Sequence, residues 1–327
     1  MSGKHEVHPE VTPHEAARSG PKIPMPAVIV GVPIVLALVI GLVLIAFGLP
    51  GVKGAPHDVP IGVAGSSAAA VGKGLEQHQP GAFDVTVYDD TASLERAIKN
   101  RDVYGGFIAG PQGIQTLTAS AGSSAVAQAL TQIGTGLGAT APARDIVPLT
   151  TDDPRGAGLG AVGLPLVIGS IVPAVALGTL ARRREVQFGA AVVYAGVAGL
   201  TFGAILHYLF GTVDGNYLAE SAVLGACVGA GALALLGLRN VFGMAGFGLG
   251  AASLVLVANP LSGATTAPEF LATPWRLIGQ WMPPGAGSQL MRTVAFFEGG
   301  SATPLIVLGV WAAAGVALLA IPARKAA

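Results

Sequence analysis

The chain has 327 residues, 52% of them hydrophobic and 11% charged. A soluble globular chain carries roughly 25% charged residues; here the charge is missing from a few long blocks, which marks a membrane protein. The net charge of zero excludes a bulk nucleic-acid or acidic-ligand surface, and the single cysteine, Cys227, excludes an intrachain disulfide.

Residues 1–24 are polar and contain Pro9, Pro13, Pro21 and Pro24. They read as a cytoplasmic disordered tail, in which His5, His8 and His14 have no fold to hold a metal. Residues 25–50 carry no charge. About 20 helical residues cross a bilayer core, and this run is longer than the apolar part of a cleaved leader. It reads as an uncleaved first transmembrane helix.

Residues 51–156 change character. VPIGVAG (59–65) and FDVTVYDD (83–90) read as strands, with a helix at 66–79 between them, ended by Pro80-Gly81. Thr91, Leu94, Glu95, Ala97 and Ile98 open a helix running to about Arg101. Residues 103–110 and 113–120 form a hairpin, 123–137 a helix, and 144–150 a last strand. The order is β-α-β-α-β-β-α-β, a small α/β domain. Cys227 reads as a small buried hydrophobe.

Four apolar blocks follow, at about 157–181, 187–211, 217–238 and 241–258, and a last one at 304–322. Basic residues in short loops set orientation. With the N-terminus inside, the inner segments hold Lys4, Arg18, Lys22, Arg182, Arg183, Arg184, Arg239, Arg324 and Lys325. The short outer segments hold only Arg276 and Arg292. The expected fold is therefore an α-helical membrane protein with six transmembrane helices. An extracytoplasmic α/β domain is inserted between the first and second, and a five-helix transmembrane domain spans 157–322. Residues 323–327 form a second cytoplasmic tail. The expected location is the cell (inner) membrane, with both termini cytoplasmic.

No energy source is legible. Gly65…Gly72-Lys73-Gly74 has the wrong spacing for a phosphate-binding loop and lacks its hydroxyl residue. Gly158-Leu159-Gly160-Ala161-Val162-Gly163 matches G-x-G-x-x-G but opens an apolar span, where close helix packing explains it. Ionisable groups within the spans are few. His207 and Glu220 flank a short outer loop and are a possible polar pair, or two interfacial residues reaching water. Asp89-Asp90 and Asp152-Asp153 read as turn residues, because neighbours on a strand point to opposite faces. His57 and His78 are single. No enzyme, metal site or resident cofactor is expected.

Residues 259–303 are the most informative. TPWRLIGQWM (273–282) forms a short helix, Pro283-Pro284-Gly285 breaks it, and GSQLMRTVAFF (287–297) forms a second. These pieces are too short to span, and too apolar and aromatic for free water. They fit a broken pair dipping into the outer leaflet, or an interfacial loop lying flat.

On these residues the chain resembles the ABC-2 type transporter permeases, in the branch with a large outer domain after the first span; it is also similar to the phage-infection-protein-like membrane proteins. The resemblance covers about residues 25–322. It rests on the layout, on Asn259-Pro260-Leu261-Ser262-Gly263, and on Pro268-Glu269-Phe270-Leu271 with Trp275…Met282-Pro283-Pro284-Gly285…Leu290-Met291-Arg292. It implies that 259–303 is an outer re-entrant gate, with Asn259, Pro260, Trp275, Trp281, Met282, Pro283, Pro284, Gly285 and Arg292 as its residues. It also implies a homodimer or paired permease with a cytoplasmic ABC ATPase that binds the ATP, and an exporter of a lipid-like or amphipathic substrate. Arg182, Arg183, Arg184 and Glu185 would then be the ATPase-coupling loop, although a loop this short also serves simply as a positive-inside anchor. The alternative is a non-transporting scaffold or secretion-apparatus component that binds a partner through its outer domain.

Overall fold

The computed structural model describes residues 27–300 and 302–322. The two expected tails lie outside the described residues. The chain forms two compact units, Met1–Ile45 and Ala46–Ala327. A π-helical turn at Ala27–Gly31 leads into α1, Val32–Lys53, whose sequence up to Ile45 is apolar on every side. A helix with no polar face needs an apolar surrounding all round.

The second unit begins with a five-stranded mixed sheet. Its strands are β1 (Val59–Ala64), β2 (Phe83–Tyr88), β3 (Gly105–Gly110), β4 (Gly113–Thr118) and β5 (Arg144–Asp145), in the order β2-β1-β3-β4-β5. β1 runs parallel to β2 and β3, β3 and β4 form the antiparallel hairpin, and β4 pairs β5 in parallel. Helices α2 (Ala68–His78), α3 (Thr91–Lys99) and α4 (Ser124–Gly136) connect them. Asp90 caps α3 by accepting from the Ser93 N–H at 2.7 Å, and Ser123 caps α4 in the same way. The expected strand at 144–150 shortens to two residues. Beyond it, Pro148 has no N–H to donate, and the Leu149 N–H goes to the Ser120 hydroxyl instead.

The sheet has a core on each face, and residues far along the chain complete both. Ala267 and Phe270 join Val59, Ile61, Val63 and Phe107 on one side. Phe296 and Phe297 join Leu94, Ile98 and Leu117 on the other. The sheet and the 259–303 segment are thus packed as one body.

Among the described residues, four helices are long and apolar enough to cross a membrane. They are Ala157–Leu180 (α5, Ala157–Ala161, with α6, Gly163–Leu180), Arg184–Leu209 (α7, Arg184–Ala204, plus a π turn), Tyr217–Ala258 (α8, Tyr217–Ser253, plus a π turn) and Ala302–Ala320 (α11). The sequence predicts six. The first, expected at 25–50, falls on the π turn and α1, whose apolar stretch within the described residues is Ile29–Ile45. The fourth and fifth fall in one element, because the helix runs straight through Leu238-Arg239-Asn240, where a loop is expected. The break comes at Gly243, with φ 65° and ψ −152°, a backbone open to glycine alone.

The chain reverses there. A Cβ placed on Gly250 would lie 2.7 Å from Leu238 Cδ1 and 2.8 Å from Leu235 Cδ2. In a straight helix, residues 235 and 250 would be roughly 22 Å apart. Arg239 and Asn240 stay helical because other helix ends satisfy them. Arg239 donates to the Val175 carbonyl near the end of α6, and the Asn240 amide donates to the carbonyls of Leu318, Leu319 and Ile321 at the end of α11. Leu319 is among the last four residues of α11, whose carbonyls lack an intrahelical partner, so Asn240 serves as a C-cap for that helix.

The first arm of α8 is the axis of the bundle. Its residues from Val223 to Gly237 are mostly buried, against α6, α7, α11 and a short helix α10 (Pro283–Phe296).

Candidate functional site

The helix ends sort into two groups. At one end, Arg239 packs against Gly178, and the loop Ala181–Arg183 joins α6 to α7. Arg182 and Arg183 are exposed, and Arg184 and Glu185 begin α7. None of the four forms an ion pair among the described residues. The loop is three residues long and contains no helix of its own.

At the other end lie the sheet and the broken helical pair, α9 (Trp275–Gln280) and α10. Asn259 closes the second arm of α8, and Pro260 stops it. The Asn259 carbonyl accepts from the Ser262 hydroxyl at 2.7 Å, which turns the chain toward α9. Trp281 and Met282 form the break between α9 and α10. Met282 is extended (φ −106°, ψ 151°), as the residue before a proline prefers. Pro283 and Pro284 do not simply end α9; they occupy the first turn of α10, where a missing N–H costs nothing.

The small residues that follow allow close packing. A Cβ on Gly285 would run into the Gly279 carbonyl of α9, and one on Gly287 would lie 2.6 Å from Cys227 Sγ of α8. Cys227 is buried and donates to the Pro283 carbonyl at 3.3 Å. α10 is buried along most of its length, Pro283 through Ser288 included. By contrast, α9 exposes Trp275, Leu277 and Ile278, and Trp281 in the break is exposed as well. Trp281 is fixed from below, because Trp311 of α11 donates its indole N–H to the Trp281 carbonyl at 2.8 Å. Exposed indoles beside a buried helix match the depth at which a headgroup region meets protein.

Arg292 of α10 is buried. It donates to the Ala121 carbonyl at 2.9 Å and the Ala264 carbonyl at 2.7 Å. It therefore bridges the sheet, the 259–270 segment and α10.

His207 and Glu220 do meet. His207 Nδ1 lies 2.9 Å from Glu220 Oε2, and Glu220 is fully buried. Among the described residues, Glu220 Oε1 and the neighbouring Ser221 Oγ have no hydrogen-bond partner. Tyr208 and Tyr217 stack edge-on around the imidazole.

Asp153 is more than a turn residue. Its carboxylate accepts from the Ala157 and Gly158 N–H groups and from the Thr212 hydroxyl, all within 3.0 Å. It caps the start of α5 and ties it to the loop after α7. Gly158 has no room for a side chain because Thr212 lies against it, so its glycine serves packing.

Sequence reasoning missed Arg101, Tyr104, Glu269 and Gln289, which meet at the junction of sheet and helices. Glu269 lies in the Pro268-Glu269-Phe270-Leu271 stretch on which the resemblance rests, although no site role is read from it; the other three belong to no motif. Arg101 stands two places past α3, where glycine commonly ends a helix, whereas the sequence places it at the end of the helix itself.

Comparison with protein-family models, curated proteins and solved structures found no match to this chain.

Proposed function

We propose that the chain is a permease subunit of an ATP-driven exporter of the ABC-2 type, lying in the cell membrane with the arginine-bearing helix ends inside and the sheet outside. On this reading it crosses the membrane six times, with Gly243 as the inner turn between the fourth and fifth spans. It works with a separate cytoplasmic ATPase, as a homodimer or paired with a related permease, and moves a lipid-like or amphipathic substrate outward. The observation that carries the reading is the burial of α10 against α8 and α11. A short broken pair that lies flat at an interface has no reason to bury one helix; one that dips into the bundle does.

The sheet shares its cores with the residues flanking α9 and α10, so a movement of one is felt by the other. This offers a mechanical route between an outer substrate and the helix bundle.

One observation favours a second reading, a membrane scaffold. The 181–183 loop offers an ATPase little surface to grip.

Co-purification separates the two. The tagged chain is extracted from its native membrane in mild detergent, and what accompanies it is identified. A stoichiometric ATPase carrying a phosphate-binding loop is expected. Reproducible recovery of envelope or secretion proteins without an ATPase would replace the permease reading with the scaffold.

A further inference from the structure

A polar pocket of about 210 Å³ lies where the sheet meets the helices, lined by Arg101, Tyr104, Glu269, Gln289, Gly300 and Pro304 among others. Its two charges do not pair with each other. Arg101 donates to the Gln289 carbonyl at 2.7 Å, to the Thr293 hydroxyl at 2.6 Å and to Gln289 Oε1, and its guanidinium lies over the Phe297 ring. Glu269 instead accepts from the Tyr104 hydroxyl at 2.8 Å. Among the described residues neither charge is in an ion pair. A cation and an anion lining one small pocket, each held by neutral partners, leave room for a ligand carrying the opposite pair.

Three further features fit. Arg101 adopts φ 65°. A left-handed backbone is disfavoured for a non-glycine residue, and such strain recurs at ligand clamps. Arg101 N–H bonds the Ile98 carbonyl and Asp102 N–H bonds the Ala97 carbonyl, the hydrogen-bond pattern of a helix end that ordinarily uses glycine. Second, Gln289 gives its Oε1 to Arg101, which can only donate, so among the described residues its Nε2 is left buried without an acceptor. Third, Pro304 belongs to the first turn of α11, the positive end of that helix. Burial pushes the Tyr104 hydroxyl well above its ordinary range, with Glu269 adding to the effect, so it stays a donor to that carboxylate.

We propose that this pocket binds a zwitterionic head group, with its phosphate or carboxylate on Arg101 and Gln289 and its ammonium on Glu269. The inference goes beyond the exporter reading and does not depend on it, because it concerns binding and not transport. The same chemistry is offered by a free small molecule and by a lipid head at the membrane surface.

The test is calorimetric titration of the purified full-length protein in detergent. The probes are glycerophosphoethanolamine, dihexanoyl phosphatidylethanolamine, inorganic phosphate and ethanolamine. The zwitterions are expected to bind about tenfold or more tighter than either half, since each lost charged hydrogen bond is worth about 1.5–3 kcal/mol. Equal affinity of the two zwitterions assigns the site to the head group alone, and tighter binding of the dihexanoyl form assigns it to a lipid. Arg101→Gly removes the guanidinium while suiting the backbone angle, and should abolish binding in a folded protein. Glu269→Gln keeps an acceptor for Tyr104, and should reduce zwitterion affinity to that of phosphate. No saturable binding by wild type would overturn the proposal. So would phosphate binding as well as the zwitterions, or unchanged zwitterion binding by both variants.

Discussion

At the residue scale, the buried polar groups set the sharpest expectations. Glu220 has one partner, His207, and no exposure. Removing one partner of a buried pair costs about 3–5 kcal/mol, whereas a glutamine at 220 keeps a hydrogen-bonding partner for the His207 ring. His207→Ala should therefore lower thermal stability in detergent more than Glu220→Gln does; the reverse ranking would mean the pair is not the buried unit described. Asp153 gives a pH prediction. Burial raises its pKa, but the Gly158 and Ala157 N–H groups and the Thr212 hydroxyl outweigh that and hold the carboxyl below its ordinary range. A carboxyl depressed in the folded state stabilises above its unfolded pKa, about 3.9, and that contribution is lost as pH falls through the lower folded value. The acid limb of stability below about pH 4 should flatten in Asp153→Asn, read as melting temperature against pH.

At the scale of elements, the break between α9 and α10 depends on Pro283 holding Met282 extended. Replacing Pro283 and Pro284 with alanine lifts that restriction and lets the two helices join. Insertion should be unchanged, because apolar blocks and loop charges are the same, while on the proposed exporter reading export activity should fall. Full export by this variant would show that the break is not needed. Gly287→Ala tests the packing of α10 on α8. The new methyl meets Cys227 Sγ at 2.6 Å, an overpacking that costs about 1–3 kcal/mol. Adding Cys227→Ala should restore part of the loss, and an additive double mutant would separate the two sites. The helix ends carry a related lesson. Charge and polarity at Arg239-Asn240 suggest a loop, but both residues bond the ends of neighbouring helices and the turn moves to Gly243.

At the scale of the whole molecule, the proposed topology is open to direct test. The one native cysteine is buried, so introduced cysteines report alone. Glu76→Cys on the sheet side should react with an impermeant maleimide in intact cells. Arg183→Cys should react only after the membrane is opened. Labelling of both from outside, or of Arg183→Cys alone, would reverse or break the assignment. The shared cores tie the sheet to residues 267–270 and 296–297, so the sheet is not a detachable module on a linker.

The sequence by itself determined the apolar blocks, the strand and helix order of the sheet region, the hairpin and the short pieces at 273–297. Each follows from local pattern, which hydropathy, turn residues and prolines write directly into the chain. Tertiary structure decided between the two readings of His207 and Glu220. The strand order, the reversal at Gly243 and the burial of α10 came only from tertiary structure. So did the junction of Arg101, Tyr104, Glu269 and Gln289, whose members lie up to 188 positions apart. Local periodicity carries no information about such distant partners. A polar residue that looks solvent-facing in sequence is buried once another segment supplies its hydrogen bonds.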